Sequence, residues 1–237
     1  MTTTLITGAN KGLGRETARR LIAAGHTVYV GSRDPEKGRR TAEELGARHV
    51  LVDVTDEDSV AAAAATIAAA HDGVLDVLVN NAGIEGRTAD NGIVAPADET
   101  VDTLRPLFET NVFGTLRVTH AFLPLLNRSA APVIVNVASG LASMALITDP
   151  EAPAGFYPGI AYPASKTAVN MLTVQYAKAF PNIRVNSVEP GFTKTDLNGN
   201  SGVQTVEEGA EIIVRMALLG PDGPTGGFFD AQGPVPW

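Results

Sequence analysis

Short apolar runs rich in β-branched residues alternate with longer stretches of helical periodicity along most of this chain. The apolar runs predict strands at 2–7, 27–31, 48–52, 74–79, 132–137, 182–188 and 226–230. The intervening patterns predict helices at 15–24, 35–45, 56–70, 99–126, 167–180 and 205–218. This alternation is typical of a parallel sheet with helices on both faces. Because no repeat or linker interrupts it, we expect residues 1–237 to form one doubly wound α/β domain.

Three segments lack either periodicity. Residues 84–98 are polar, and residues 141–160 are rich in Pro, Gly, Ala and Met. Residues 192–203 are polar and contain glycine, which predicts a mobile lid. Within the helix predicted at 99–126, Asn111 indicates a distorted turn, because asparagine is a poor residue for a helix interior.

Composition narrows the possible functions. The net charge of −8 and the pI near 5.0 argue against a nucleic-acid surface. The sequence contains no cysteine, which excludes disulfides, thiolate chemistry and cysteine zinc sites, and no metal site is predicted. No apolar run reaches membrane-spanning length, and the chain enters its first strand without a signal peptide. We therefore expect a cytoplasmic protein.

A glycine-rich turn, Gly8-Ala9-Asn10-Lys11-Gly12-Leu13-Gly14, joins the first strand to the first helix. Gly8 allows a tight turn, Gly12 allows the backbone to approach a pyrophosphate, and Gly14 allows close packing of helix on strand. The helix amides then face the phosphates. Three glycines in a turn can also be only a turn, but this position directly after the first strand favours a dinucleotide site.

The end of the second strand bears on the choice of cofactor. A carboxylate at this position binds the ribose 2′-hydroxyl of NAD, whereas this chain has Ser32 followed by Arg33. Lys11 adds a second cation, and a guanidinium with an ammonium suits the 2′-phosphate of NADP. Asp34 weakens this interpretation, since its carboxylate could turn towards the ribose.

Polar and small residues follow several strands of the predicted sheet: Gly8, Arg33, Asp53, Asn80 and Ser139. Ligands of doubly wound sheets bind beyond the carboxyl ends of the strands, so these residues are expected to share one edge.

Tyr162 and Lys166 lie four positions apart at the start of a predicted helix, and therefore on one helix face. The lysine ammonium is expected to lower the pKa of the phenol towards neutrality and prepare it for proton transfer. In isolation, such a pair is usually an ordinary helix residue beside a solvated lysine. In this chain, the other motifs favour a catalytic role for the pair.

The motifs together resemble the compact branch of the short-chain dehydrogenase/reductase family, over nearly the whole chain. The resemblance rests on Thr7-Gly8-x-x-x-Gly12-x-Gly14, Asn80-Asn81-Ala82-Gly83, Asn111, Ser139, Tyr162-x-x-x-Lys166 and Pro190-Gly191, in the expected order. It implies a Rossmann fold with strand order 3-2-1-4-5-6-7, and a catalytic tetrad of Asn111, Ser139, Tyr162 and Lys166. Ala138 departs from the second serine of many relatives without expected consequence.

The resemblance also implies an NADP(H) site. The expected cofactor contacts are Gly8, Asn10, Lys11, Gly12, Leu13, Gly14, Ser32, Arg33, Asp53, Val54, Asn81, Ala82, Gly83, Tyr162, Lys166, Pro190, Gly191, Thr193 and Thr195. Asp53 would contact the adenine, and Thr193 or Thr195 the nicotinamide side or the pyrophosphate. The insertion between Ser139 and Tyr162 resembles the carbonyl-reductase-like subgroup, which implies a monomer or weak homodimer.

The expected activity is NADPH-dependent reduction of an aldehyde or ketone, with Tyr162 as general acid. The substrate is expected to be a moderately apolar small molecule. Apolar side chains near the site could line its pocket or only pack the insertion and the lid: Leu141, Met144, Phe156, Tyr157 and Phe192. The alternatives are an NAD-dependent alcohol dehydrogenase and a non-catalytic dinucleotide sensor. An extended-branch epimerase would need a larger C-terminal region.

Overall fold

Among residues 2–237, which a computed structural model describes, seven strands form one parallel sheet. The strands are β1 Thr3–Ile6, β2 Thr27–Ser32, β3 Arg48–Leu51, β4 Val77–Asn80, β5 Val133–Val137, β6 Arg184–Val188 and β7 Phe228–Phe229. Their order is β3-β2-β1-β4-β5-β6-β7. This confirms the predicted doubly wound Rossmann-like sheet and its strand order.

The described chain forms eight α-helices. They are α1 Gly12–Ala23, α2 Pro35–Leu45, α3 Glu57–Ala70, α4 Val101–Leu107, α5 Gly114–Leu126, α6 Met144–Ile147, α7 Ala161–Ala179 and α8 Val206–Ala217. Neighbouring residues of one strand face opposite sides of the sheet. Leu5 packs in a core with α3 and α5, whereas Ile6 packs in a second core with α1 and α8. The sheet is therefore buried on both faces.

The helix predicted at 99–126 is interrupted. It consists of α4, a π-helical segment at Phe108–Phe113 and α5. Asn111 lies inside the π-helical segment, which agrees with the distorted turn predicted at this residue. Its side chain bonds to the backbone of Ile84, and Pro106 removes a backbone donor within α4.

Several element boundaries differ from the sequence prediction. β4 begins at Val77 rather than residue 74, since Gly73 and Val74 form a turn closed by bonds to Ala68 and His71. α7 begins at Ala161, so Tyr162 and Lys166 lie inside its first turns. The helix after the glycine turn begins at Gly12.

Two of the three segments expected to be irregular contain short helical turns. The insertion has 3₁₀ turns at Gly140–Ala142 and Pro153–Phe156, with α6 between them. It is tied to the C-terminus, where Ser143 donates to the carbonyl of Pro236 at 2.6 Å. The predicted lid contains a 3₁₀ turn at Asp196–Asn198. Its mobility stays a prediction.

Across residues 2–237, no helix is both long and apolar enough to span a bilayer. Those residues also contain no cluster of three or more side chains that could ligate a metal ion.

Candidate active site

A cleft of about 1140 Å³ opens at the carboxyl edge of the sheet. Three of the four predicted catalytic residues line it: Ser139, Tyr162 and Lys166. So do all the predicted cofactor contacts except Ser32: Gly8, Asn10, Lys11, Gly12, Leu13, Gly14, Arg33, Asp53, Val54, Asn81, Ala82, Gly83, Tyr162, Lys166, Pro190, Gly191, Thr193 and Thr195. The residues that the sequence singled out therefore converge on one cleft.

The glycine turn forms one end of this cleft. Gly8 and Gly12 adopt φ of +64° and +53°, which side chains disfavour. A Cβ on Gly14 would lie 2.5 Å from Nδ2 of Asn81, which itself donates to the Thr7 carbonyl at 2.8 Å. The N-cap residue of α1, Lys11, makes no side-chain cap. The first amides of α1 are thus left for an anionic ligand.

The end of β2 differs from the prediction at Ser32. This residue is only 2% exposed, and its hydroxyl donates to the carbonyl of Asp34 at 2.9 Å. The hydroxyl closes the turn into α2, so Ser32 does not line the cleft, in contrast to its expected cofactor contact. Arg33 beside it is exposed on the cleft wall.

The Asp34 side chain caps the N-terminus of α2. Its carboxylate caps α2 by accepting from the amides of Glu36 and Lys37 at 3.1 and 3.0 Å. Those bonds hold the pKa of Asp34 below its usual value. The ribose-binding role that the sequence left open for Asp34 would require loss of this helix cap.

Lys11 forms an ion pair with Asp196, which belongs to the predicted lid. Its Nζ lies 3.0 Å from Oδ2 of Asp196, and both side chains are 63% exposed. An exposed ion pair of this kind contributes little to stability. Lys11 can therefore exchange Asp196 for another anion without a large change in folding free energy.

Tyr162 and Lys166 lie on one face of α7, as their spacing predicts. The Lys166 Nζ is 5.7 Å from the centre of the Tyr162 ring and donates to the Val137 carbonyl at 2.7 Å. Lys166 is 5% exposed, and this burial lowers its pKa to about 8.

The prediction that the Tyr162 pKa is lowered is wrong for this structure. Burial raises that pKa above its ordinary value, the carboxylates of Glu85 and Glu189 raise it further, and a hydrogen bond with Ser139 only partly opposes them. Loss of hydration is the largest cause, because the phenolate is the form that water stabilises. The phenol thus keeps its proton at neutral pH.

Asn111 is 1% exposed and lies behind the cleft wall rather than on it. Its Nδ2 donates to the Ile84 carbonyl and to Oγ of Ser165, at 2.9 and 3.0 Å. A Cβ on Gly83 would lie 3.2 Å from Oδ1 of Asn111 and 3.4 Å from Nζ of Lys166. The asparagine and the lysine side chains therefore both lie beside Gly83. The two hydrogen bonds of Asn111 connect the loop after β4 to α7.

The cleft has charged residues that sequence reasoning missed, among them Glu85, Arg87 and Glu189. Glu85 follows the Asn80–Gly83 motif and forms an ion pair with Arg87 at 2.8 Å. Glu189 directly precedes the Pro190-Gly191 motif and accepts a hydrogen bond from the amide of Gly140. Burial raises the pKa of Glu189. Their positions next to two cofactor-binding motifs could have indicated these residues in the sequence. The direction in which each side chain points, however, depends on tertiary packing.

Comparison with known proteins agrees with the residues found in the site. A family model described as short chain dehydrogenase matches residues 2–205, and the chain belongs to this family. It is 32% identical to a (+)-neomenthol dehydrogenase of Capsicum annuum, over 95% of this chain and 94% of that protein.

Two solved structures resemble it closely. Salutaridine reductase of Papaver somniferum superposes with a TM-score of 0.82 at 30% identity, covering 97% of this chain and 99% of that one. An NADPH-bound carbonyl reductase from chicken fatty liver superposes with a TM-score of 0.84 at 27% identity, covering 100% and 99%. These matches confirm the family and the carbonyl-reductase-like resemblance.

Proposed function

We propose that this protein reduces an aldehyde or ketone to an alcohol with NADPH. The observation that carries the proposal is a single cleft lined by Tyr162, Lys166 and Ser139 together with the glycine turn and Arg33. Proteins that resemble it are named as a carbonyl reductase with bound NADPH, a salutaridine reductase and a neomenthol dehydrogenase, which supports this proposal.

The residues of the cleft fit a nicotinamide dinucleotide. The missing Cβ of Gly12 leaves room for a pyrophosphate against the backbone, since its nearest neighbour is Thr195 at 3.5 Å and both residues line the cleft beside the uncapped amides of α1. Exposed Arg33 suits the 2′-phosphate, while Asp34 is held in a helix cap. When bound, NADPH would supply the hydride. Lys11 and Thr195 are further residues that would hold it.

The chain's own residues would handle the proton and the developing charge. Tyr162 would donate its hydroxyl proton to the substrate oxygen, and Ser139 would stabilise that oxygen by a hydrogen bond. Lys166 keeps a positive charge near the phenol below pH about 8. Asn111 would hold the loop after β4 against α7 and keep Lys166 in register.

The direct test is consumption of NADPH, and separately of NADH, with a panel of aliphatic, aromatic and cyclic carbonyl compounds. Tyr162→Phe is the control, and its kcat should fall by about 10² to 10⁴ because general acid catalysis is lost. Unchanged turnover in this variant contradicts the assignment of Tyr162. Preference for NADH would favour the NAD-dependent alcohol dehydrogenase, and cofactor binding without any turnover would favour a sensor.

The proposal also concerns the domain organisation of the chain. Residues 1–237 would act as one cofactor-binding and catalytic domain. The monomeric or weakly dimeric state and the cytoplasmic location stay predictions from the sequence.

A further inference from the structure

A polar cluster lies in the cleft beside the proposed general acid, and the reduction chemistry does not use it. It consists of Glu85, Arg87 and Tyr157, all of which line the cleft together with Tyr162. Glu85 and Arg87 are largely buried, with side chains 6% and 17% exposed. The Tyr157 and Tyr162 ring centres lie 6.4 Å apart.

The ion pair in this cluster is well satisfied. Arg87 donates from Nε and Nη2 to the two carboxylate oxygens of Glu85, at 2.8 and 3.0 Å. Its Nη1 donates to the carbonyl of Asn91 at 2.9 Å. These three bonds fix the carboxylate in the cleft wall without using all of its acceptor capacity, since each oxygen has two lone pairs.

The contact of Tyr157 is weaker. Its hydroxyl donates to Oε1 of Glu85 at 3.3 Å, which is long for a bond between a hydroxyl and a carboxylate. Burial and the nearby carboxylates of Glu85 and Glu99 raise the pKa of Tyr157, so its hydroxyl remains a donor throughout the neutral range. A long bond between a donor and a charged acceptor is one that a ligand group can replace at low cost.

We propose that this cluster selects a hydroxy ketone, and binds its hydroxyl between Tyr157 and Glu85 while the carbonyl meets Tyr162 and Ser139. The inference rests on the proposed reduction and adds the substrate class. A hydroxyl both donates and accepts, so it can give its proton to Glu85 and receive the proton of Tyr157. The two tyrosines line the same cleft with their ring centres 6.4 Å apart, so one small substrate can lie against both.

The charges around this position disfavour an acidic substrate. Glu85 accepts a hydrogen bond from Tyr157 at 3.3 Å, and Glu99 accepts one at 3.4 Å from the amide of Ala161, the residue before Tyr162. Arg87 is neutralised by Glu85. A ketone that carries a carboxylate at the place of the hydroxyl would therefore meet repulsion rather than a free cation.

Three ketones of matched shape test the proposal: 4-methylcyclohexanone, 4-(hydroxymethyl)cyclohexanone and 4-oxocyclohexanecarboxylate. The wild type should show a kcat/KM about tenfold higher for the hydroxymethyl ketone than for the methyl ketone, and lowest for the carboxylate. In Tyr157→Phe the preference for the hydroxymethyl over the methyl ketone should disappear. The control is Phe156→Leu, because Phe156 neighbours Tyr157 but is 74% exposed and outside the cleft wall.

A second variant tests the charge. Glu85→Gln removes the negative partner of Arg87 and should raise kcat/KM for the carboxylate ketone at least tenfold relative to the methyl ketone. Equal kcat/KM for the methyl and hydroxymethyl ketones in the wild type overturns the proposal. So does a Tyr157→Phe variant that lowers kcat/KM for all three ketones by one factor.

Calorimetry separates this inference from the proposed reduction. Binding of 4-(hydroxymethyl)cyclohexanol and 4-methylcyclohexanol is measured with wild type and Tyr157→Phe, without cofactor and without turnover. Tighter binding of the diol that Tyr157→Phe abolishes supports the cluster even if no ketone in the panel is reduced. Equal binding of the two alcohols refutes it, whatever the result for the reduction.

Discussion

At the scale of single residues, burial decides the protonation of Tyr162 and Lys166. Both side chains are almost fully buried, which raises one pKa and lowers the other. The spacing in the sequence showed that the two side chains share a helix face, and this was correct. The pKa direction at Tyr162 was not predictable from spacing, because it depends on how completely the fold removes water and on Glu85 and Glu189, which come from other elements.

Lys166 is expected to lower the stability of the folded protein at neutral pH. Its folded pKa of about 8 is below the unfolded value of 10.5, so the unfolded chain binds more protons between these values. The free energy of unfolding therefore rises with pH from about 8 to 10.5, and below pH 8 the full cost of burying the ammonium is present. Lys166→Met should raise the free energy of unfolding at pH 7 by about 1 to 3 kcal/mol while activity is lost.

Urea denaturation at pH 7 and pH 10 measures this effect. The gain from Lys166→Met should shrink at pH 10. Lys178→Met is the matched control, because Lys178 is exposed on the same helix and should change stability by less than about 0.5 kcal/mol. A loss of stability in Lys166→Met at pH 7 would show that the ammonium and its bond to Val137 stabilise the fold instead.

Arg33 is predicted to select the phosphorylated cofactor. It is exposed on the cleft wall, while Asp34 is held in the cap of α2. Arg33→Ala should weaken NADPH binding about 10- to 100-fold and leave NADH within about threefold, since one charge-assisted contact is lost. Fluorescence titration of both cofactors measures this, with exposed Arg39→Ala as control. Equal weakening of both cofactors contradicts a contact with the 2′-phosphate.

At the scale of elements, the glycine turn and α1 were predictable because their requirements are local. A strand that ends in a glycine turn before a helix has few alternatives, and the φ angles of Gly8 and Gly12 agree with it. The π-helical segment around Asn111 was indicated only as a distortion. Its form depends on bonds to Ile84 and Ser165, which are distant in sequence.

Gly14→Ala tests how closely α1 packs on the loop after β4. The new Cβ would lie 2.5 Å from Asn81 Nδ2 and 2.8 Å from the Gly8 carbonyl oxygen, so the backbone has to shift. We expect a loss of about 1 to 3 kcal/mol in stability, together with weaker cofactor binding. Gly220→Ala is the control, since a Cβ there meets nothing within 4 Å. Thermal unfolding and cofactor titration show the difference, and equal behaviour of the two variants contradicts the packing account.

At the scale of the whole molecule, the two ends of the sheet carry different groups of residues. The carboxyl ends of the strands carry the cleft, whereas the amino ends carry a polar network around His71 and Tyr29. Nδ1 of His71 lies 3.3 Å from Oγ1 of Thr3, and Nε2 lies 3.0 Å from the Tyr29 hydroxyl. Arg48 is 3.4 Å from the same nitrogen.

This network should make the protein less stable in mild acid. Burial lowers the pKa of His71, and the Arg48 charge lowers it further, although Asp72 and Asp76 oppose this. The unfolded chain therefore binds a proton first as pH falls below 6.5, and the free energy of unfolding falls with it. His71→Gln should flatten this dependence between pH 7.5 and 5.5 in urea denaturation, and His120→Gln, at an exposed position outside the network, is the control. A slope that is the same in wild type and His71→Gln would exclude His71 as its source.

We propose above all that this cleft transfers hydride from NADPH to a carbonyl carbon. NADPH deuterated at the transferring C4 position, incubated with a cyclic ketone under single-turnover conditions, tests it most directly. We expect an alcohol with one deuterium on the carbinol carbon, formed by the wild type and at least about 10²-fold more slowly by Tyr162→Phe. An alcohol without deuterium, or oxidation of NADPH without alcohol, would contradict it.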